Sequence, residues 1–147
     1  MRIFTRLAIF AAAMLLAGQM AVAAGKQHYV AIHVDQNDPQ VMNMALNNAK
    51  NVNSYYESQG DTVVIELVAY GPGLNMLVAG KSPVETQISA MSLEIPGLTF
   101  SACGNTLNAM VKKAGMDVPL VAEAKLTPSG VVRLIELQEQ GYAYVRP

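Results

Sequence analysis

Cys103 is the only cysteine in the sequence and the side chain with the clearest capacity for covalent chemistry. It follows the apolar run 98–102 and precedes Gly104, a pattern that predicts a cysteine between a strand and a helix. The partial positive charge and free N–H groups of a helix N-terminus favour the thiolate, the nucleophilic form. Asn105 and Thr106 are candidates to cap this helix or to hydrogen-bond the sulfur, and Gly104 to let a ligand approach the backbone. The same spacing is equally compatible with a buried, inert cysteine.

Two histidines occur in the first predicted strand, five residues apart, which places them on opposite faces. His28 and His33 therefore cannot bind one metal ion from this strand. His33 lies near the carboxyl end of the strand and is a candidate to orient a ligand or to act as a base, with a packed histidine as the alternative. The methionines are scattered, which favours core filling over soft-metal binding. The sequence predicts no metal site and no cofactor, and it lacks the glycine motifs of nucleotide-binding loops.

Polar residues also interrupt two otherwise regular elements. Asn47, Asn48, Asn51 and Asn53 lie in the first predicted helix, although asparagine is a poor helix former unless its side chain is bonded. Asn47 is therefore a candidate for binding a neighbouring loop or subunit, with a solvated face as the alternative. Glu66 interrupts the apolar second strand, and an unpaired buried carboxylate is costly. It indicates an edge strand, a salt bridge or an oligomer contact.

The predicted elements alternate between strand and helix. Strands are predicted at 28–34, 62–70, 97–102, 120–126 and 142–145, and helices after residues 38, 82, 104 and 127, with a short helical turn at 74–78. Crossovers of this length join parallel strands, so we expect a single α/β domain with a mostly parallel five-stranded sheet covered by helices on both faces. Ligands bind such sheets at the carboxyl ends of strands. This rule selects the loops 35–38, 70–73 and 103–106, and adds Gly71 and Gly73 to the candidate site residues.

Local signals predict where helices begin and end. Asp38 before a proline is typical of a helix N-cap, and the segment 82–85 has the form of a capping box. Gly115 and Gly141 are expected to end the last two helices. Four residues of the last helix are predicted to share its apolar face: Val131, Leu134, Ile135 and Gln138.

The first 23 residues have the order of a secretory signal: Arg2 and Arg6, an apolar stretch, then the small-x-small pattern that ends at Ala23. The apolar stretch is about 11 residues long, short of the roughly 20 that span a bilayer. We expect cleavage after Ala23, or after Ala24, and a periplasmic or secreted domain over 24–147 that is not membrane-bound, with an uncleaved anchor as the alternative. The mature chain has no basic run, which argues against nucleic acid as a partner.

Four segments resemble the DsrE/DsrF-like family, most closely its small exported branch. They are 45–48 (ALNN) with Asn51, 68–73 (VAYGPG), 100–106 (FSACGNT) and 141–147 (GYAYVRP). The resemblance implies a five-stranded, mostly parallel α/β fold that assembles into homotrimers or homohexamers. It also implies a persulfide on the cysteine that opens a helix, here Cys103. The helix from Cys103 to Gly115 is about a turn longer than in the sulfur-relay members, which are cytoplasmic.

Two functions follow as hypotheses. In the first, the protein is a sulfurtransferase-like carrier that holds sulfane sulfur on Cys103 and passes it to a partner protein, since the chain has no second cysteine. In the second, it is a non-catalytic small-ligand binding or assembly module in which Cys103 is buried.

Overall fold

The computed structural model describes residues 25–147. Its strands are β1 (Gln27–Val34), β2 (Thr62–Ala69), β3 (Leu98–Cys103), β4 (Ala124–Thr127) and β5 (Ala143–Val145). Its helices are α1 (Pro39–Ser58), a 3₁₀ helix (Gly71–Leu77), α2 (Glu85–Glu94), α3 (Gly104–Ala114) and α4 (Gly130–Glu139). The sheet has the order β4-β3-β2-β1-β5, and every strand pair in it is parallel. The predicted fold class is confirmed.

The helices cover the two faces of the sheet unequally. The 3₁₀ helix and α1, α2 and α3 pack on one face, over a core that contains Ile32, Leu67 and Phe100. Helix α4 covers the other face, where Leu134 and Leu137 pack on two small strand residues, Ala31 and Val68. The side chains that fix α4 on the sheet are therefore few.

Two predicted helix ends are confirmed by their hydrogen bonds and dihedral angles. The Asp38 carboxylate accepts a hydrogen bond from the Gln40 N–H at 2.8 Å, as an N-cap residue does. Gly115 ends α3 in the left-handed conformation with φ 68°. The helix predicted to begin at Ser82 instead begins at Glu85. Both ends of the expected capping box bond elsewhere, because the Ser82 hydroxyl accepts from the N–H of Val84 and the Glu85 carboxylate accepts from the N–H of Gly80.

Strand β4 and helix α4 also begin later than predicted. Strand β4 begins only at Ala124, because Leu120 pairs with Val78 in an isolated antiparallel bridge outside the sheet. Helix α4 begins at Gly130 rather than after Thr127, which still belongs to β4. Of the four residues predicted to form the apolar face of α4, only Leu134 is buried; Val131 and Ile135 are 52% and 51% exposed, and the second buried apolar side chain is Leu137.

No helix within residues 25–147 is both long enough and apolar enough to cross a membrane. The signal peptide and its cleavage after Ala23 lie outside the described residues and stay predictions.

Candidate functional site

The carboxyl ends of three strands bring candidate residues to one face of the sheet. His33 pairs with Val68, and Val68 pairs with Ser101. Side chains alternate along a strand, so residues two positions further on, Tyr70 and Cys103, lie on the same face as these three. This is the face that α4 covers. Tyr70, in the middle strand, lies between His33 and Cys103.

Cys103 lies where two helices begin. It is the last residue of β3 and the N-cap of α3, and Gly130 is the first residue of α4. A Cβ atom on Gly130 would lie 3.2 Å from the Cβ of Cys103 and 2.9 Å from that of Tyr70, so only glycine fits here without a shift. Gly130 is not among the site residues predicted from the sequence. The signal for it was a Ser-Gly pair just after the carboxyl end of a predicted strand.

Thr106 links the cysteine to the loop after β2. Its hydroxyl oxygen accepts a hydrogen bond from the N–H of Gly71 at 2.9 Å, which leaves the hydroxyl proton free to be donated elsewhere. No side-chain hydrogen bond of good geometry caps α3 at Cys103. The Thr106 hydroxyl and nearby backbone N–H groups nevertheless affect the pKa of the thiol.

The pKa of the Cys103 thiol lies below its ordinary value. Burial raises this pKa, but the Thr106 hydroxyl and the backbone N–H groups of Gly130, Thr106 and Asn105 together outweigh burial by favouring the thiolate. Cys103 is itself 4% exposed, so the thiolate is sheltered from water. The arrangement places the thiol at two helix N-termini, where its pKa is lowered and the thiolate is favoured more than in a free cysteine.

Two of the predicted glycines pack against the chain's own backbone. A Cβ on Gly104 would lie 3.1 Å from the carbonyl oxygen of Thr127, and one on Gly73 would lie 2.3 Å from that of Val34. The backbone N–H of Asn105 also donates to the Pro128 carbonyl. The space beside Gly104 is therefore filled by the segment that leads into α4, and not left open to a ligand.

His33 is 5% exposed and lies at the far side of Tyr70 from the cysteine. Its ring stacks on Tyr70 with centroids 4.6 Å apart, and its Nδ1 lies 2.6 Å from the Tyr144 hydroxyl oxygen. Its Nε2 has no hydrogen-bond partner among the described residues and lies 3.9 Å from the Asp35 carboxylate. Burial lowers the pKa of His33, Asp35 opposes this and Arg146 adds to it, so the neutral ring is favoured.

The other predicted residues lie apart from the cysteine. His28 is on the opposite face, where it stacks on Tyr56 and its Nε2 lies 2.9 Å from the Asp61 carboxylate. Asn47 is exposed on α1 and lines a small groove of 190 Å³ with α2. In the described part of the chain, no three His, Cys, Asp or Glu side chains come together as a metal site.

Glu66 forms a buried network that holds α4 on the sheet. Its carboxylate accepts hydrogen bonds from the Ser101 hydroxyl at 2.6 Å and from Nε and Nη2 of Arg133 at 2.8 and 2.7 Å. Burial raises the pKa of Glu66, but the bonds from Arg133 and Ser101 outweigh it and lower the pKa. Of the alternatives that the sequence left open, the salt bridge is the one observed, and the edge position is wrong because β2 is the central strand.

Comparison with known proteins identifies a relative of the whole domain. No family model matches the chain, and no curated protein matches it significantly. Among solved structures it is similar to the protein of unknown function MTH1491 from Methanobacterium thermoautotrophicum, with 31% identity and a TM-score of 0.68. The match covers 82% of this chain and 99% of that one. The chain therefore belongs to the same family as the MTH1491 protein, a likeness that fixes the fold and carries no activity with it.

Proposed function

We propose that this protein carries sulfane sulfur as a persulfide on Cys103. The observation that supports it most is the position of the sulfur at the N-termini of α3 and α4, beside the Thr106 hydroxyl. A cysteine thiolate held this way is a nucleophile. Once Cys103 holds a second sulfur atom, the negative charge moves to that terminal sulfur and stays within reach of the same helix ends. The resemblance to the DsrE/DsrF-like family supports the same role.

Each transfer is an exchange of one sulfur–sulfur bond for another. The Cys103 thiolate attacks the outer sulfur of a donor, the new Sγ–S bond forms, and the donor's own S–S bond breaks with its electron pair leaving on the donor thiolate. The reverse step delivers the sulfur to an acceptor thiol. That thiol belongs to a partner protein in this proposal, because the chain has no second cysteine.

Intact-protein mass spectrometry tests this proposal. The protein is incubated with inorganic polysulfide, and the mass is measured before and after treatment with a reductant. We expect the wild type to gain one sulfur atom that the reductant removes, and Cys103→Ala to gain none. Equal addition to both proteins, or none to the wild type, would overturn the proposal.

The burial of Cys103 favours a second candidate function, a binding or assembly module with an inert thiol. The two candidates differ in the rate at which the folded protein reacts with a small alkylating reagent. A stabilised thiolate reacts faster in the folded protein than in urea at the same neutral pH. An inert thiol reacts slowly until the protein unfolds.

An apolar surface around α4 supports the homo-oligomer implied by the family resemblance. The surface consists of exposed large side chains on α4 and on the edge strand β5: Val131, Val132, Ile135 and Tyr144. Light scattering during size-exclusion chromatography is expected to give a trimer or hexamer for the wild type and a smaller species for Ile135→Lys. An unchanged mass in the variant would show that α4 does not form the interface. The periplasmic or secreted location belongs to the same proposal and depends on the predicted signal.

A further inference from the structure

A groove runs between the 3₁₀ helix and α3, and Thr106 in the first turn of α3 lines it. It has a volume of 570 Å³, and its lining includes Gly71, Pro72, Lys81, Thr106, Met110 and Lys113. Sites for small organic molecules are commonly about 300–1,000 Å³ in volume. The groove is therefore much larger than an inorganic sulfur anion needs.

The charge of the groove is positive. Lys81 and Lys113 line it, no acidic side chain does, and neither lysine forms an ion pair with another residue in 25–147. Pro72 and Met110 supply an apolar wall between them. Two ammonium groups beside an apolar wall suit an organic molecule that carries carboxylates.

Thr106 connects this groove to the sulfur chemistry. It lines the groove, its hydroxyl accepts from the N–H of Gly71 in the groove wall, and it is one of the groups that lower the pKa of Cys103. Cys103 is the N-cap of α3 and Thr106 is the third residue of that helix, so the groove extends to the end of α3 at which the cysteine lies.

We infer that the groove binds a low-molecular-weight thiol bearing carboxylates, and that the persulfide of this thiol is the sulfur donor. This inference rests on the proposed function. The Cys103 thiolate attacks the outer sulfur of R–S–SH, the Sγ–S bond forms, and the bond between the donor's two sulfurs breaks. The electron pair leaves as R–S⁻, and the proton on the transferred sulfur passes to water as the new persulfide ionises. No oxidant or reductant is consumed.

The test uses glutathione persulfide as the donor and follows the initial rate of sulfur loading on Cys103 against donor concentration. The variants are Lys81→Ala with Lys113→Ala, and Lys112→Ala as the matched control. Lys112 is an exposed neighbour on the same helix that does not line the groove. We expect the half-saturating concentration to rise about five- to tenfold in the double variant, as for the loss of two solvent-exposed charge contacts. We expect it to stay within about twofold in the control.

Two further measurements separate this inference from the proposed function. Loading from inorganic polysulfide is measured in every variant to show that Cys103 can still accept sulfur. Binding of glutathione itself to Cys103→Ser protein is measured by calorimetry, and is expected to weaken in the double variant alone. If polysulfide loads the protein but neither measurement with glutathione compounds distinguishes the double variant from Lys112→Ala, the groove assignment is wrong and the carrier function stands. If no donor loads the protein, the carrier function fails, and calorimetry still decides whether the groove binds the thiol.

Discussion

Replacing Arg133 by methionine tests whether one ion pair holds α4 over the cysteine. The substitution keeps the apolar stem of the side chain but leaves the Glu66 carboxylate, which is 8% exposed, with the Ser101 hydroxyl as its only hydrogen-bond partner within residues 25–147. Removal of one partner from a buried ion pair costs about 3–5 kcal/mol. The Arg133 side chain is 27% exposed, so water softens this loss and we expect a value near the lower end, about 3 kcal/mol. For a domain of this size that is a fall in Tm of about 10 °C.

The assay is urea unfolding followed by circular dichroism, with Glu136→Ala as the control. Glu136 is the exposed partner of Arg133 at 3.4 Å, and its loss is expected to cost less than about 0.5 kcal/mol. The double variant Glu66→Leu with Arg133→Met removes both charges, so it is expected to recover most of the stability that Arg133→Met loses. The reasoning is refuted if Arg133→Met costs no more stability than Glu136→Ala, or if the double variant is less stable than Arg133→Met.

Three further predictions concern residues around the sulfur. Gly130→Ala is expected to destabilise the protein by about 1–3 kcal/mol, because the new Cβ would crowd Tyr70 and Cys103. Helix propensity alone predicts the opposite, a gain of about 0.5–1 kcal/mol. A higher urea midpoint in the variant would contradict the close packing described at Gly130. Thr106→Val is expected to raise the pKa of Cys103, measured from the pH dependence of alkylation, whereas Thr106→Ser is expected to keep it low. Equal pH profiles in the two variants would show that the hydroxyl does not lower this pKa. The pKa of His33 is lowered in the folded state, so the unfolded chain binds the proton first and stability should fall as pH drops below about 6.5. His33→Gln should flatten the profile of urea midpoint against pH in this range. An unchanged slope would show that another group causes the loss of stability.

Glu66 affects folding stability in a more acidic pH range than His33 does. Its pKa is lowered in the folded state, so the stability it contributes is present above its ordinary value of 4.5 and is lost as pH falls through the folded pKa. Glu66→Gln should lack this acid-dependent loss. Urea midpoints between neutral pH and acid, compared with those of Glu136→Gln, check it, and the prediction fails if the two variants lose stability in parallel.

The fold and the place of Cys103 could be predicted because their signals are local. Alternating strands and helices, an Asp-Pro helix start at Asp38 and a glycine stop at Gly115 each depend on a few neighbouring residues. The strand-to-helix position of Cys103 is a signal of the same kind. The face of α4 was predicted correctly only at Leu134, because helical periodicity groups apolar residues without saying which of them contact the sheet. Val131 and Ile135 satisfied the periodicity and yet are exposed.

The rest of the site depends on contacts between distant parts of the chain. Gly130 is required because α4 approaches Cys103 and Tyr70 closely, and the Ser-Gly pair at 129–130 indicates a turn without indicating which residues come close to it. The partner of Glu66 could be predicted as a kind of interaction, but its identity as Arg133 follows only from the packing of α4 on the sheet.

The pKa of the single thiol tests the central claim most directly. Since Cys103 is the only cysteine, the ultraviolet absorbance of its thiolate can be titrated in the folded protein, with Cys103→Ser as the blank. We predict that the titration midpoint lies below the ordinary value of 9.0 for a free thiol, and that it returns towards that value in urea. A midpoint at or above the ordinary value in the folded protein would contradict the account, because burial would then outweigh the donors of the two helix ends and Thr106.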